Sequence, residues 1–424
     1  MCYPESRLED RMIDNSVDPD KQPKIKPGRY PKAAKSLAAP YLATLEKLRN
    51  RQPASSSDLL SRVRAMLSAS PGIIQTAYNA GATGLVASHT HYFDGFALLM
   101  LLPHGTAIGY APDGPRGFHF KHSGPAGERP ITDQIMSAER IARRVLGETG
   151  SIAVASNIPY RCEDAFWSSF VVALLRISHA AQQEVSGPTK RSNEAVERAR
   201  TAASLISKEI GRPYSNAYTI ASQVADRHEF VLVDVRLGEY LTLAHPSPED
   251  LVIALVDVQD NPEFDSDKLA AKMRLVDKAV ATLQKKGLTY VETLRDLDHA
   301  DLVRALNMLP KSQQPVIRHL VSENRRVAKV VAAIRKEDWQ FLGALLLMSH
   351  ASLQRDWAAS CTGADTVVSE VERMATQGLH GACMTGSGGC VIVVGHPFAV
   401  PTALESILAH IETTFGYAAS SWLL

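Results

Sequence analysis

The sequence predicts an α+β protein, with strands gathered before about residue 260 and helices concentrated after it. Three observations predict this. Between residues 84 and 112, short apolar runs are broken by Gly and Pro, as strands and tight turns require. Residues 151–177 run as an apolar strand (SIAVASNI), a short polar segment and a helix-like apolar run. Residues 267–286 and 315–347 are long stretches of helical period. A chain of 424 residues has room for two or three domains or one large bilobed unit.

Taken in order, residues 1–35 are polar and rich in Pro and Lys and read as a loosely ordered arm. Leu42, Leu45, Leu48, Leu59, Leu60, Val63 and Leu67 are spaced for two short amphipathic helices. The linker QPASSSD joins them, and its Ser-Ser-Asp is a plausible N-cap. After the strand at 151–158 and the helix at 166–177, residues 194–210 are helical by period. Residues 228–243 read as a hairpin turning at Gly238, and 251–258 as a buried strand. A helix is expected at 364–377, a Gly-rich loop leading into the strand CVIVV over 380–394, and a closing helix at 400–415. The division expected is an arm at 1–35, an N-terminal lobe at 36–260 and a helix-rich C-terminal lobe at 261–424.

Composition excludes several classes. Apolar residues make up 45% and charged residues 21%, which supplies a sizeable core. Lys+Arg is 46 against Asp+Glu 45, so no basic excess recruits nucleic acid. The five cysteines are Cys2, Cys162, Cys361, Cys383 and Cys390. Their spacing fits neither a disulfide scaffold nor a zinc ribbon. The longest apolar run stops at Pro103-His104-Gly105, far short of a membrane span. The first residues, MCYPESRLEDRMIDNSVDPDKQ, are too charged for a secretory signal. The expectation is a soluble cytoplasmic protein whose partner is a small molecule, neither a nucleic acid nor a membrane.

The C-terminal third carries a specific pattern. HLVSENRRVAKVVAAIRKEDWQFLGALLLMSHASLQRDWAASC leads into GACMTGSGGCVIVV. This resembles galactokinases of the GHMP kinase superfamily, on His319, Glu323, Asn324, Ser349, His350, Ser352, Leu353, Ser360 and Cys361. Gly381, Met384, Thr385, Gly386, Gly388, Gly389 and Cys390 continue the match. SHTHYFDGFALLM resembles the galactokinase sugar signature through His89, Thr90, Tyr92 and Gly95, and FVLVDVRLGEYLTL resembles a galactokinase hairpin. Weak to strong, the resemblance covers about residues 80–415. It implies two α+β lobes with the active site between them.

The same resemblance locates departures. The chemistry is phosphoryl transfer from ATP to a sugar hydroxyl. It needs a backbone that approaches the phosphates, an acid/base carboxylate and a charge-stabilising cation. The resemblance sets the family's Gly-rich phosphate loop against 160–169, Tyr-Arg-Cys-Glu-Asp-Ala-Phe-Trp-Ser-Ser, where no glycine remains, Glu163 and Asp164 bring two carboxylates and Arg161 offsets part of their charge. A carboxylate about 4 Å from a phosphate oxygen costs roughly 4 kcal/mol at an effective dielectric near 20. The family's acid/base Asp falls on Tyr218, its charge-stabilising Arg on Ala82, and its sugar-binding Glu and Asp on Ser88 and His91. The loop GSGGC (Gly386, Ser387, Gly388 and onward) is two residues shorter than the family's. ATP and Mg are implied by the family but disfavoured by the 160–169 segment, and ordinary galactose phosphorylation is not expected.

The residues that replace the family's are polar. His91, Tyr218 and Asp94 are the candidate catalytic set. Ser88, His89, Tyr92, Arg161, Glu163, Asp164, Asn216 and Thr219 are candidate substrate contacts. Thr385, Gly386, Ser387 and Gly388 mark the former nucleotide loop. On an extended segment, His89-x-His91 would put both imidazoles on one side. With Asp94 or Glu163 this is a metal-ligating spacing. Two histidines at i, i+2 are more often ordinary hydrogen-bonded residues, so no metal is expected. His350 and Glu323 read as structural, and Cys383 and Cys390 as buried small residues. Three readings stay open: a repurposed enzyme acting on a small polar or sugar-like metabolite, a non-catalytic pseudokinase or sensor, and a divergent small-molecule kinase using ATP.

Overall fold

A computed structural model of the chain describes residues 53–86, 89–123, 132–180, 193–259, 266–385 and 388–424. The polar arm, the first of the two expected short helices, Ser88, Gly386 and Ser387 lie outside the described residues. Helix α1 (Ser56–Met66) opens with a capping box. The Ser55 hydroxyl accepts from the Asp58 N–H, and the Asp58 carboxylate accepts from the Ser55 N–H at 3.0 Å.

Strands β1 (Gln75–Val86) and β2 (Phe96–Ala111) pair antiparallel along nearly their whole lengths. The short runs and tight turns expected over 84–112 are corrected here. Gly84, Pro103 and Gly105 lie inside long strands, and the pairing register shifts at Ala80/Ala82 and Gly84/Val86. Bulges of this kind absorb residues that a regular ladder would reject. Strand β3 (Gly117–His122), helix α2 (Thr132–Leu146) and strand β4 (Ser151–Ser156) follow. Next come helices α3 (Glu163–Ala180), α4 (Asn193–Ile210) and α5 (Asn216–Val224), then the hairpin β5 (Glu229–Asp234) and β6 (Glu239–Ala244). The hairpin turns at Gly238, whose φ of +69° suits a residue without Cβ. These strands make one six-stranded sheet. In it β2 pairs with β5 through Phe96–Met100 and with β4 through Thr106–Ala111.

The second sheet has the order β10-β7-β9-β8. It is built from β7 (Val252–Asp257), β8 (Leu379–Thr385), β9 (Cys390–Gly395) and β10 (Ser420–Leu423). The expected division at residue 260 follows β7, whose hydrogen-bonded partners β9 and β10 lie near the C-terminus. A second correction concerns 380–394: Leu379–Thr385 is a buried strand and not a glycine-rich loop. Its glycine at 381 serves packing. A Cβ there would lie 2.1 Å from the Gly343 carbonyl oxygen, and one on Gly343 would lie 2.2 Å from the His380 carbonyl. Helix and strand thus touch backbone to backbone.

Helices α6 (Ser266–Lys285), α7 (Leu302–Met308), α8 (Gln314–Arg335), α9 (Trp339–Ser352), α10 (Thr362–Arg373) and α11 (Val400–Phe415) complete the chain. The single stretch expected at 315–347 is two helices, α8 and α9, because the chain breaks at Glu337, whose φ is +55°. Alternation in the second sheet feeds two cores. Ile253, Leu255, Ile392 and Val394 join the core around α3, whereas Ala254, Val256, Val391 and Val393 join the core beneath the C-terminal helices. A sheet covered on both faces reads as continuous apolar strands, as VIALV and CVIVV do.

Polar groups fasten the two halves. Asn324 on α8 accepts the Phe96 N–H at 2.9 Å. Both guanidinium nitrogens of Arg295 bond the fully buried Asp234 carboxylate, one of them also reaches the Asp94 carbonyl at 3.0 Å, and the guanidinium lies over the Phe96 ring at 4.2 Å. Replacing Asp234 by Ala leaves that guanidinium largely buried without its carboxylate. The expected cost is about 3–5 kcal/mol, read as a lower urea midpoint at unchanged m-value.

Candidate functional site

The site begins where β4 ends. The segment 157–162 turns tightly, with the Cys162 N–H on the Pro159 carbonyl at 2.8 Å, and α3 starts at Glu163. Two carboxylates in the first turn of a helix are favoured by its dipole, and Glu163 also has side-chain partners. Glu163 accepts from Arg212 at 3.0 Å and from the Trp167 indole N–H at 2.9 Å. The Asp164 carbonyl accepts the Tyr214 hydroxyl at 2.6 Å. Burial works against the charge on Arg212, but Glu163 and Asp164 outweigh it and hold that guanidinium more firmly protonated than usual.

Arg161 points across to the other sheet. Its guanidinium reaches the Asp257 carboxylate at the end of β7 at 3.3 Å and the Gln259 carbonyl at 2.5 Å. Burial pushes the Asp257 carboxyl upward, and Arg161 and the Gln259 N–H pull it back. Beside this pair the Cys162 and Cys390 sulfurs lie 3.2 Å apart, and the Thr83 and Thr385 hydroxyls are bonded at 2.9 Å.

The second part of the site is a cluster of rings. His89 and Asp94 both take left-handed backbone, with φ of 62° and 60°, and bracket a short 3-10 turn, Thr90–Phe93. The Thr90 hydroxyl donates to the Phe96 carbonyl at 2.8 Å and ties the turn to β2. His89 stacks on Trp357 with ring centroids 4.8 Å apart, and the Lys272 ammonium lies over the same indole at 4.4 Å. His91 packs against Tyr92 at 4.2 Å and edge-on to Tyr218 at 5.4 Å. Burial first, then Arg212, lowers His91 to about 3. Burial, then the charge on Asp164, holds the Tyr218 and Tyr92 phenols well above their ordinary value. The cluster is therefore uncharged at neutral pH apart from Arg212 and its carboxylates, and Lys272, which burial lowers to about 8. Among the described residues, the buried Nδ1 atoms of His89 and His91 and the Oδ1 of Asn216 have no hydrogen-bond partner.

No family model matches the chain. The galactokinase of Streptomyces coelicolor is 26% identical over 378 residues, which span 82% of this chain and 90% of that protein. Human galactokinase is 27% identical over 215 residues, about half of each chain. The structure of Lactococcus lactis galactokinase complexed with galactose superposes with a TM-score of 0.72 at 17% identity, covering 87% of this chain and 97% of that one. Mevalonate kinase from L. major, in complex with R-mevalonate, superposes at 0.53 and 14% identity, covering 82% and 94%. The chain is galactokinase-like: it is similar to galactokinases over most of its length and has their fold.

In this galactokinase-like protein the structure brings together His89, His91, Tyr92 and Tyr218. It brings Arg161, Glu163 and Asp164 to one helix start, with Thr385 across from it. Gly388 follows in the turn before β9, with φ of +115°. Two expectations are corrected. Thr219 does not face a ligand: it is fully buried, and its hydroxyl donates to the Ala199 carbonyl at 2.8 Å, tying α5 to α4. His89-x-His91 is not extended. The 3-10 turn nonetheless leaves the two rings 6.2 Å apart, and among the described residues no group of three His, Cys, Asp or Glu is placed to hold a metal. Asp94 stands at the end of that turn, and its carbonyl serves as an acceptor for Arg295.

Sequence reasoning missed Asp257 and Trp357. An acidic residue closing the apolar run VIALVD was the available signal for the first. The conspicuous Trp in LQRDW was the signal for the second. Glu323 and His350, read as structural, are bonded within the protein. Ser349 donates to Glu323 at 2.6 Å, and His350 bonds Asp365 at 2.9 Å while accepting the Met384 N–H.

The buried His91 has a consequence for pH. Its unfolded value is near 6.5 and its folded value about 3, so between these the unfolded chain binds a proton that the folded chain does not. Stability is full above pH 6.5 and falls as pH drops toward 3, by up to about 1.4 kcal/mol per unit. Urea titrations at pH 7 and pH 5 are expected to differ by about 2 kcal/mol less in His91→Gln than in the parent. His104 and His245, lowered by burial to about 3 and about 4, supply slope that remains in the variant.

Proposed function

We propose that this protein uses the galactokinase scaffold without ordinary ATP:galactose phosphotransfer, as a binder of a small polar or sugar-like ligand at the His89–His91 cluster. The observation that carries the reading is the occupied start of α3. Phosphate recognition at a helix N-terminus needs open amides and room for the anion. Here Arg161 is turned away to Asp257, and Glu163 and Asp164 stand in the first turn with Arg212 as their counter-ion. A triphosphate and its magnesium do not fit that donor set, because the phosphate would displace a buried ion pair and meet two carboxylates.

The acid/base side of the chemistry is equally weak. A phenol held above its ordinary value does not accept a proton near pH 7, and an imidazole at about 3 is a feeble base. Binding is better supported than turnover. Unpartnered buried polar atoms at His89, His91 and Asn216 are what a hydrogen-bonding ligand would satisfy.

A second reading, a kinase that phosphorylates a sugar-like hydroxyl, is favoured by the names of the relatives, which are galactokinases. One experiment divides the two. Thermal unfolding is followed with millimolar Mg-ATP, with galactose and with both, alongside a coupled assay for ADP. A nucleotide at 100 times its Kd would stabilise by about 2.7 kcal/mol. The expected outcome is no shift with Mg-ATP and no galactose-dependent ADP. A saturable shift together with ADP release restores the kinase reading.

A further inference from the structure

We infer that Cys162 and Cys390 form an oxidisable dithiol, a modification site at which one disulfide joins the start of α3 to the start of β9. Four observations carry this. The two sulfurs are 3.2 Å apart, and both cysteines are reduced and buried. They belong to different layers: Cys162 precedes a helix of the first core, and Cys390 begins a strand of the second sheet. Their neighbours are already fastened, because Arg161 bonds Asp257, and Asp257 stands opposite Cys390 in the β7–β9 register. The other described cysteines, Cys361 and Cys383, are not in this contact.

Shortening 3.2 Å to a covalent length of about 2.0 Å asks for roughly an ångström of movement. The Arg161–Asp257 contact beside the sulfurs holds the segment in register while that happens. The groups facing Cys390 are Cys162, Asp257 and Arg161. The bond to Cys162 and burial keep its thiol protonated, Asp257 adds to this, and Arg161 opposes it. Cys162 is the sulfur nearer to solvent, two residues from the exposed Tyr160. It is therefore the one placed to meet a hydroperoxide first.

The chemistry balances with a hydroperoxide as oxidant. The Cys162 sulfur attacks the terminal peroxide oxygen, the O–O bond breaks, the thiol proton passes to the departing oxygen so that an alcohol (or water, from hydrogen peroxide) leaves, and a sulfenic acid remains. The Cys390 sulfur then attacks the sulfenyl sulfur, its proton goes to the departing oxygen, and water is released. Two electrons pass from the pair of thiols to the peroxide. The product closes a loop of more than 200 residues, which restricts the unfolded chain strongly.

The full chain is treated with hydrogen peroxide, trapped with iodoacetamide under denaturing conditions, and mapped by non-reducing mass spectrometry. The expected result is a Cys162–Cys390 linked peptide pair and a higher melting temperature, both reversed by dithiothreitol. Cys162→Ser and Cys390→Ser should each lose the linked pair. Recovery of both cysteines alkylated after peroxide, or of Cys162 as a sulfinic acid with Cys390 alkylated, overturns the inference. The readout uses the parent protein, so misfolding of a variant does not blur it. It needs neither nucleotide nor sugar, so it stands or falls apart from the ligand reading above.

Discussion

The Arg161–Asp257 ion pair is the constraint on which the site depends. Both side chains are nearly sealed from water, and one comes from the turn after β4 while the other ends β7. A buried pair is seldom a source of net stability, because desolvation offsets most of the attraction, but removing one partner strands the other. Its main effect is therefore positional. It brings the turn before α3 against the end of β7, and Cys162 reaches Cys390 as a result. The same turn then sets where Glu163 and Asp164 emerge, and so where Arg212 must come to neutralise them. One contact thus decides that the helix start is filled with side chains of the protein itself.

Helices that keep the galactokinase pattern do so for packing. His319 bonds the Ser352 hydroxyl at 2.9 Å, Ser349 bonds Glu323, and Asn324 caps the Phe96 amide where β2 begins. None of these groups requires a ligand to be satisfied. The positions that depart from the pattern sit on other elements: the 3-10 turn, the start of α3 and α5. A scaffold can hold its shape with one set of polar contacts while another set is replaced, and the two sets here share little beyond the backbone.

Much of the fold was legible in the sequence, for a physical reason. Helical period located α4, α6 and α11 closely, and Gly238 marked its hairpin, because periodicity and φ > 0 preferences are local properties. The long β1–β2 pair was not legible. Its bulges and internal glycines look like breaks until a partner strand is present. For the same reason the pairing of β7 was not legible: its neighbours β9 and β10 lie more than 130 residues away in the chain. At the site, residue types at Arg161, Glu163, Asp164, His91 and Tyr218 were readable. Their destinations were not, because an arginine's partner depends on the fold. Thr219 shows the limit most clearly. It lies next to Tyr218 in sequence, yet a helix turns successive side chains by about 100°, and that rotation takes its hydroxyl to α4.

The contact between Gly343 and Gly381 reaches further than its location suggests. Helix α9 carries Ser349 and His350 one to two turns beyond Gly343, and those residues anchor Glu323 on α8 and the Met384 amide on β8. Any side chain at either glycine would lever the helix off the strand and carry those anchors with it. A mutational survey scored only by loss of activity would therefore flag two residues with no chemistry of their own. Their shared role is that of a spacer, setting how close two backbones stand.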